Sequence, residues 1–200
     1  MLVRHASCAL TEKVLLGRTI DAPLDERGER QAAALARHVA GEKPALVLSS
    51  PRRRALLTAG AIAALALCEL RVAPELDEID FGAWAGQTFV ALALDPAWCE
   101  WNTHRESART PAGVGIWSLQ RRIVEQLRML ARHFDGSTVV LVTHAEIVRS
   151  ALLHFLNMPA SDWYCIEIDT ASVSVLSVAE SGVRIEAINE HAPFRDTIAA

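Results

Sequence analysis

Four cysteines in 200 residues, Cys8, Cys68, Cys99 and Cys165, stand far apart, and no two share a C-x-x-C spacing. That scarcity excludes a disulfide-framed fold and a cysteine-rich zinc module, and it predicts free thiols in a reducing compartment. Long apolar runs are missing as well. The alanine-rich stretch Ala59–Leu67 is too short to span a bilayer. No basic segment followed by an apolar stretch opens the chain, so no signal peptide is predicted. An excess of positive charge is absent: 20 Lys and Arg face 24 Asp and Glu, for a net charge of -4. A general nucleic-acid or membrane-surface binder, which needs a basic face, is thereby excluded. The seven histidines show no H-x-H or H-x-x-x-H spacing, so no metal site is predicted. Repeats, low-complexity tracts and linkers are also absent. What remains is a chain that is 51% hydrophobic, of a length that fits one domain spanning 1–200, predicted to be soluble and cytoplasmic.

Continuous apolar runs at Pro44–Ser50 and Ser137–His144 predict strands covered on both faces. Helical patterns lie between and around them. Glu26–Val39 carries Gln31, Leu35 and Val39 at i+4 spacing, then Gly41 as a stop. Ser118–Phe134 carries Ile123, Leu127, Leu130 and Phe134 on one stripe before Gly136. Arg54–Leu67 and Ile147–Leu156 read as two more helices. Near the end, Tyr164–Ile168, Ser172–Val178 and Arg184–Ile188 read as three strands, with Glu180–Gly182 as a hairpin turn. Alternating strands and helices predict an α/β fold with a largely parallel sheet. The region from about 80 to 117 is irregular and rich in tryptophan, and reads as a cap or lid.

Ligands gather beyond the carboxyl ends of strands in open α/β sheets. Three predicted strands end in polar residues: Leu2-Val3 runs into Arg4-His5, Leu46–Leu48 into Ser49-Ser50, and Val139–Val142 into Thr143-His144. As parallel neighbours they would gather two histidines and several arginines in an acidic protein, a local cationic pocket suited to a phosphate. Ser50 suits a helix N-cap and Pro51 the first helical position, which puts Arg52, Arg53 and Arg54 in a first turn. The helix dipole disfavours cations there, so three together suggest a bound anion. On that stretch alone, a solvated basic turn explains the pattern equally well. Asp77, Glu78 and Asp80 precede an aromatic–glycine segment in "LDEIDFGAWAG" (Leu76–Gly86). Asp77 and Asp80 read as solvated, and one acid near a phosphate pocket could protonate a leaving group.

Five stretches taken together resemble the histidine phosphatase superfamily, the phosphoglycerate mutase-like group. They are "LVRHAS", "GRTIDAPLDERGERQA" (Gly17–Ala32), "SSPRRRALLTA" (Ser49–Ala59), "LDEIDFGAWAG" and "VTHAEIVRSALLHFLNMP", and they run in the family's order from residue 2 to about 159. The resemblance implies a three-layer α/β/α sandwich with a mostly parallel central sheet. It implies that His5 is a nucleophile forming a phosphohistidine. Arg4, Arg54 and His144 would hold the phosphoryl oxygens, and Glu78 would give a proton to the leaving oxygen. Substrate contacts are implied for Arg4, Thr11, Leu16, Gly17, Arg54 and Ala145. The chain departs from the family pattern at Ala6, Ser7, Arg52, Ala85, Ala145 and in "TPAGVG" (Thr110–Gly115). Only three residues precede Arg4, where family members commonly carry several more.

The expected activity is hydrolysis of a small phosphorylated molecule, with no cofactor and no metal. Partners other than that substrate are not expected, neither nucleic acid nor membrane, and a homodimer is left open. A phosphoglycerate mutase-type transferase, an α-ribazole-phosphate phosphatase and a non-catalytic phosphate-binding module are the alternatives. Mutase-type relatives are usually longer, which favours hydrolysis.

Overall fold

The computed structural model describes residues 1–11, 13–179 and 182–193. Six strands form one sheet: β1 (Leu2–Arg4), β2 (Leu46–Ser49), β3 (Glu69–Val72), β4 (Val139–Thr143), β5 (Ser172–Ala179) and β6 (Gly182–His191). Their order is β3-β2-β4-β1-β5-β6. The β2–β3, β2–β4 and β1–β4 pairs are parallel, whereas β5 runs antiparallel to both β1 and β6. The sheet is therefore mixed, with the parallel half at the functional edge.

Four long helices cover it: α1 (Glu26–Ala40), α2 (Arg53–Ala66), α5 (Ile116–His133) and α6 (Ala145–Phe155), with the short α3 (Phe89–Leu92) and α4 (Pro96–Thr103) between. Successive strand residues point to opposite faces, and the two cores follow that rule. Leu2, Leu46, Leu48 and Leu141 pack with Ile123 and Leu127 of α5 and Val148 and Leu152 of α6. The residues between them, Val3, Val47, Val140 and Val142, pack on the other face with Leu35 and Val39 of α1 and Ala55, Ala59 and Ile62 of α2. Three layers result because the apolar residues of these strands find apolar partners on both faces, which is why the runs read as continuous rather than alternating. Among the described residues, no helix is long and apolar enough to cross a membrane.

Several expectations are corrected. Tyr164–Ile168 is not a strand. A 3-10 segment, Ala160–Cys165, occupies its start, because Trp163 is buried beneath Arg105 and Arg149 and sets a helical turn there. Strand β3 escaped the sequence pattern because it is a short edge strand whose residues are all exposed. The region 80–117 is less irregular than expected, since α3 and α4 lie within it. Trp84 and Trp101 are buried there, Trp84 Nε1 donating to Asp95 Oδ2 at 2.9 Å. Residues 180 and 181 of the expected hairpin turn lie outside the described residues.

Candidate active site

Neighbouring strands β1, β4 and β2 deliver their last residues to one edge. The ladder continues past the strands: the His5 N–H donates to Thr143 O at 2.9 Å, and the Ser50 N–H to Val142 O at 2.9 Å. His5 and His144 therefore meet, their ring centroids 5.1 Å apart at 63°. His5 Nδ1 lies 2.8 Å from Ala6 O. A carbonyl only accepts, so Nδ1 carries the hydrogen and Nε2 keeps its lone pair. Arg54 Nε donates to that Nε2 at 3.2 Å.

Arg54 is buried and links the whole site. Its guanidinium reaches Gly17 O at 3.0 Å, Ile20 O at 3.3 Å and His144 Nδ1 at 3.2 Å. Arginine donates there, so His144 Nδ1 accepts, and His144 Nε2 donates to Ser50 Oγ at 2.7 Å. Glu78 Oε2 stands 3.5 Å from His144 Nδ1 and 4.0 Å from Arg54 Nη2, while its Oε1 accepts the Ile79 N–H at 2.9 Å. Arg4 donates to Ile168 O at 2.6 Å.

The loop after His5 is built by the segment Gly17–Ala32. Gln31 Oε1 accepts the Ser7 N–H at 2.9 Å, and Ser7 Oγ donates to Asp25 Oδ2 at 2.9 Å. Asp25 also caps α1, accepting the Gly28 N–H at 2.7 Å. Gly28 has no room for a side chain: a Cβ there would lie 1.9 Å from Ser7 O. Gly17 adopts φ +54, and its carbonyl meets Arg54 from that left-handed turn.

Electrostatics follow from burial. His5 is held well below its usual pKa by burial, then by the Arg54 and Arg4 charges. His144 is lowered likewise by burial, then Arg54, His5, Arg4 and Arg52. Both rings are neutral at pH 7, so His5 Nε2 keeps its lone pair, which accepts from Arg54 Nε. Glu78 goes the other way. Burial pushes it from 4.5 up to about 7, with Arg54 opposing and the Glu146 charge adding to the rise.

A cavity of about 260 Å³ opens on these groups. Arg4, His5, Arg54 and Glu78 line it, and so do Thr11, Leu16, Gly17 and Ala145. His144 lies behind them, fully buried, as the N-cap of α6. The residues singled out by the resemblance thus lie at the cavity or directly against its lining. The N-terminus of α6 adds its positive dipole end beside Ala145.

The arginine run behaves differently from the expectation. Helix α2 begins at Arg53 with Arg52 as its N-cap, so Ser50 is not the cap. The Ser50 hydroxyl accepts from both His144 Nε2 at 2.7 Å and the Arg52 N–H at 3.3 Å. Asp21 Oδ1 satisfies the Arg53 N–H at 2.8 Å. Asp77 is buried rather than solvated, and it pairs with Arg52 at 2.9 Å and Arg18 at 3.5 Å. Two acids of this chain, not a ligand, offset part of the basic turn. Asp80 accepts the Gly82 N–H at 3.0 Å.

Another wall of the cavity joins Trp98, from the tryptophan-rich region expected to form a cap, to four residues the sequence reading did not single out: Asn102, Arg105, Glu146 and Tyr164. Arg105 is buried, donates to Glu146 Oε2 at 2.8 Å, Asn102 Oδ1 at 2.9 Å and Tyr164 Oη at 2.7 Å, and lies 4.6 Å from the Trp163 ring centroid. These positions are spread from 98 to 164, with no shared motif to mark them. Glu146 alone carried a signal, two residues after His144.

The family model described as histidine phosphatase superfamily (branch 1) matches residues 1–191. A bifunctional protein of Mycobacterium tuberculosis is 30% identical over 184 residues, covering 91% of this chain and 50% of that protein. The chain thus spans about half the length of that relative. Phosphoserine phosphatase 1 of Hydrogenobacter thermophilus is 28% identical over 182 residues, 90% of this chain and 86% of the relative. Among solved structures, the phosphoserine phosphatase of Entamoeba histolytica in complex with 3-phosphoglyceric acid aligns with a TM-score of 0.84 at 25% identity, covering 94% and 95% of the two chains. A mycobacterial glucosyl-3-phosphoglycerate phosphatase complexed with inorganic phosphate aligns at 0.82 and 25%, covering 96% of each.

Proposed function

The chain belongs to the histidine phosphatase superfamily, branch 1, and on that premise we propose that it is a phosphomonoesterase hydrolysing a small phosphorylated molecule through a phosphohistidine. The observation that carries the reading is His5 Nε2: a neutral ring nitrogen on a cavity-lining residue beside Arg4, whose lone pair accepts from Arg54 Nε at 3.2 Å, a bond that gives way when a phosphoryl group takes the arginine. In the first step Nε2 attacks phosphorus. The N–P bond forms, the bond from phosphorus to the leaving oxygen breaks, and Glu78 gives that oxygen its proton. Arg4 and Arg54 hold the phosphoryl oxygens, with His144 behind Arg54. In the second step water attacks the phosphohistidine. Glu78, now a carboxylate, takes the water proton as the new O–P bond forms; the N–P bond breaks, its electron pair returns to His5 Nε2, and inorganic phosphate leaves. A carboxyl that titrates near 7 suits both roles.

The segment 80–117 acts as the cap over the leaving group, a reading supported by Phe81, Phe89, Trp98, Trp101, Asn102 and Arg105 in the lining. The relatives named above include a phosphoserine phosphatase and a glucosyl-3-phosphoglycerate phosphatase, which supports a small-molecule substrate here. Free cysteines at all four positions support a cytoplasmic location. Rapid quenching with labelled substrate tests the mechanism. Wild type should yield an acid-labile, base-stable phosphoenzyme, and His5→Ala should lose both label and turnover. Near-normal activity in His5→Ala would remove the nucleophile from this position.

A further inference from the structure

The wall formed by Arg105, Glu146, Asn102 and Tyr164 says what kind of leaving group the cavity accepts. Arg105 is the cavity-lining cation outside the phosphate pair Arg4 and Arg54, among the described residues. Carboxylate recognition by arginine uses two parallel N–H donors as a fork. Here the fork is already engaged. One Nη1 hydrogen goes to Glu146, and the Nη2 hydrogens go to Asn102 and Tyr164. Nε is buried without a partner, inside the enclosure of Trp101, Trp163 and Tyr164 rings at 4.9, 4.6 and 5.3 Å from the guanidinium carbon. One Nη1 hydrogen remains. Glu146 Oε2 pairs with Arg105 at 2.8 Å, and its Oε1 is shared with Arg149. Arg149 stands on the far side of Glu146 at 3.4 Å, donates to Ile166 O and does not line the cavity.

A carboxylate on the leaving group would therefore meet the Glu146 carboxylate with a single unengaged Arg105 donor facing it. A hydroxyl group fares differently, since it both donates and accepts. Glu146 Oε1, the Tyr164 oxygen, the second Asn102 Nδ2 hydrogen and the last Arg105 hydrogen offer both kinds of partner. Beside them Phe81, Phe89 and Trp98 supply an aromatic surface for the C–H face of a ring. At about 260 Å³ the cavity is below the usual range for drug-sized ligands, and its size suits a phosphate with a compact alcohol.

We propose that this wall receives a neutral, hydroxyl-bearing leaving group, a sugar or polyol, and disfavours an alcohol that carries a carboxylate. The inference rests on the phosphomonoesterase reading. The test measures kcat/KM of the purified chain for D-ribose 5-phosphate, D-glucose 6-phosphate, 3-phospho-D-glycerate, O-phospho-L-serine and p-nitrophenyl phosphate. A sugar phosphate should exceed 3-phosphoglycerate by about tenfold or more, the size of one like-charge contact across a partly solvated site. Glu146→Gln should narrow that ratio and Asn102→Asp should widen it. Comparing two alkyl phosphates within one variant cancels any change in the acid Glu78. If 3-phosphoglycerate or phosphoserine is hydrolysed as well as the sugar phosphates, or Glu146→Gln leaves the ratio unchanged, the inference falls. In that case His5-dependent hydrolysis of p-nitrophenyl phosphate would show that the phosphomonoesterase reading still stands. Its absence would overturn both.

Discussion

Replacing Glu78 by Gln keeps the shape of the side chain and removes its proton chemistry. The structure gives two separate readouts. The first is catalytic. An alkyl alcohol, with a pKa of about 15, needs protonation as its bond to phosphorus breaks, whereas a nitrophenolate, near about 7, leaves unaided. General acid assistance is typically worth about 10²–10⁴-fold. Glu78→Gln should lose roughly that factor on an alkyl phosphate and much less on p-nitrophenyl phosphate. In the parent, turnover of alkyl phosphates should fall as pH rises through about 7, because Glu78 then loses the proton it must give. The second readout is stability. Glu78 titrates at about 7 in the folded chain against 4.5 ordinarily. Between those values the native state binds more protons than the unfolded one, so this group's contribution to stability falls as pH rises. At about 1.4 kcal/mol per unit, the ionised carboxylate destabilises the fold by at most about 3.5 kcal/mol above pH 7. Glu78→Gln should therefore unfold at higher urea than the parent at pH 8, with the gap closing towards pH 4.5. Equal catalytic losses on both substrates would take the proton-donor role from Glu78. A stability gap that does not change with pH would refute the burial argument.

Three other outcomes follow from the packing and the charges. Gly28→Ala should destabilise the chain by about 2 kcal/mol or more, read as a lower urea midpoint at unchanged slope, because its Cβ would strike the Ser7 carbonyl at 1.9 Å. A stability gain, as expected of a glycine merely exposed in a helix, would contradict that contact. Asp77→Ala should cost about 2 kcal/mol, since it strips Arg52 and the Glu78 N–H of an acceptor while leaving Arg52 partly solvated. Unchanged thermal unfolding would show the pair to be dispensable. EDTA should leave turnover intact, because Arg4 and Arg54 supply the positive charge that phosphoryl transfer requires. Loss of activity with EDTA, and its return with a divalent cation, would contradict this.

The sequence by itself determined the strand ends and what stands on them. Apolar runs covered on both faces must be interior strands, and a polar residue that ends such a run must lie at the sheet edge. Arg4-His5 and Thr143-His144 were readable for that reason, and Gln31, Leu35 and Val39 marked the buried stripe of α1 in the same way. Local periodicity states which way a side chain faces. It does not state what it meets there. That Asp77 is buried rather than solvated depends on Arg52, 25 residues away. That the Ser50 hydroxyl meets the His144 ring depends on a residue 94 positions away. The Arg105 wall needs Asn102 from α4, Glu146 from α6 and Tyr164 from the 3-10 turn beyond it. A buried charge can be kept only where the folded chain brings it a partner, and only the tertiary structure decided which partners those were.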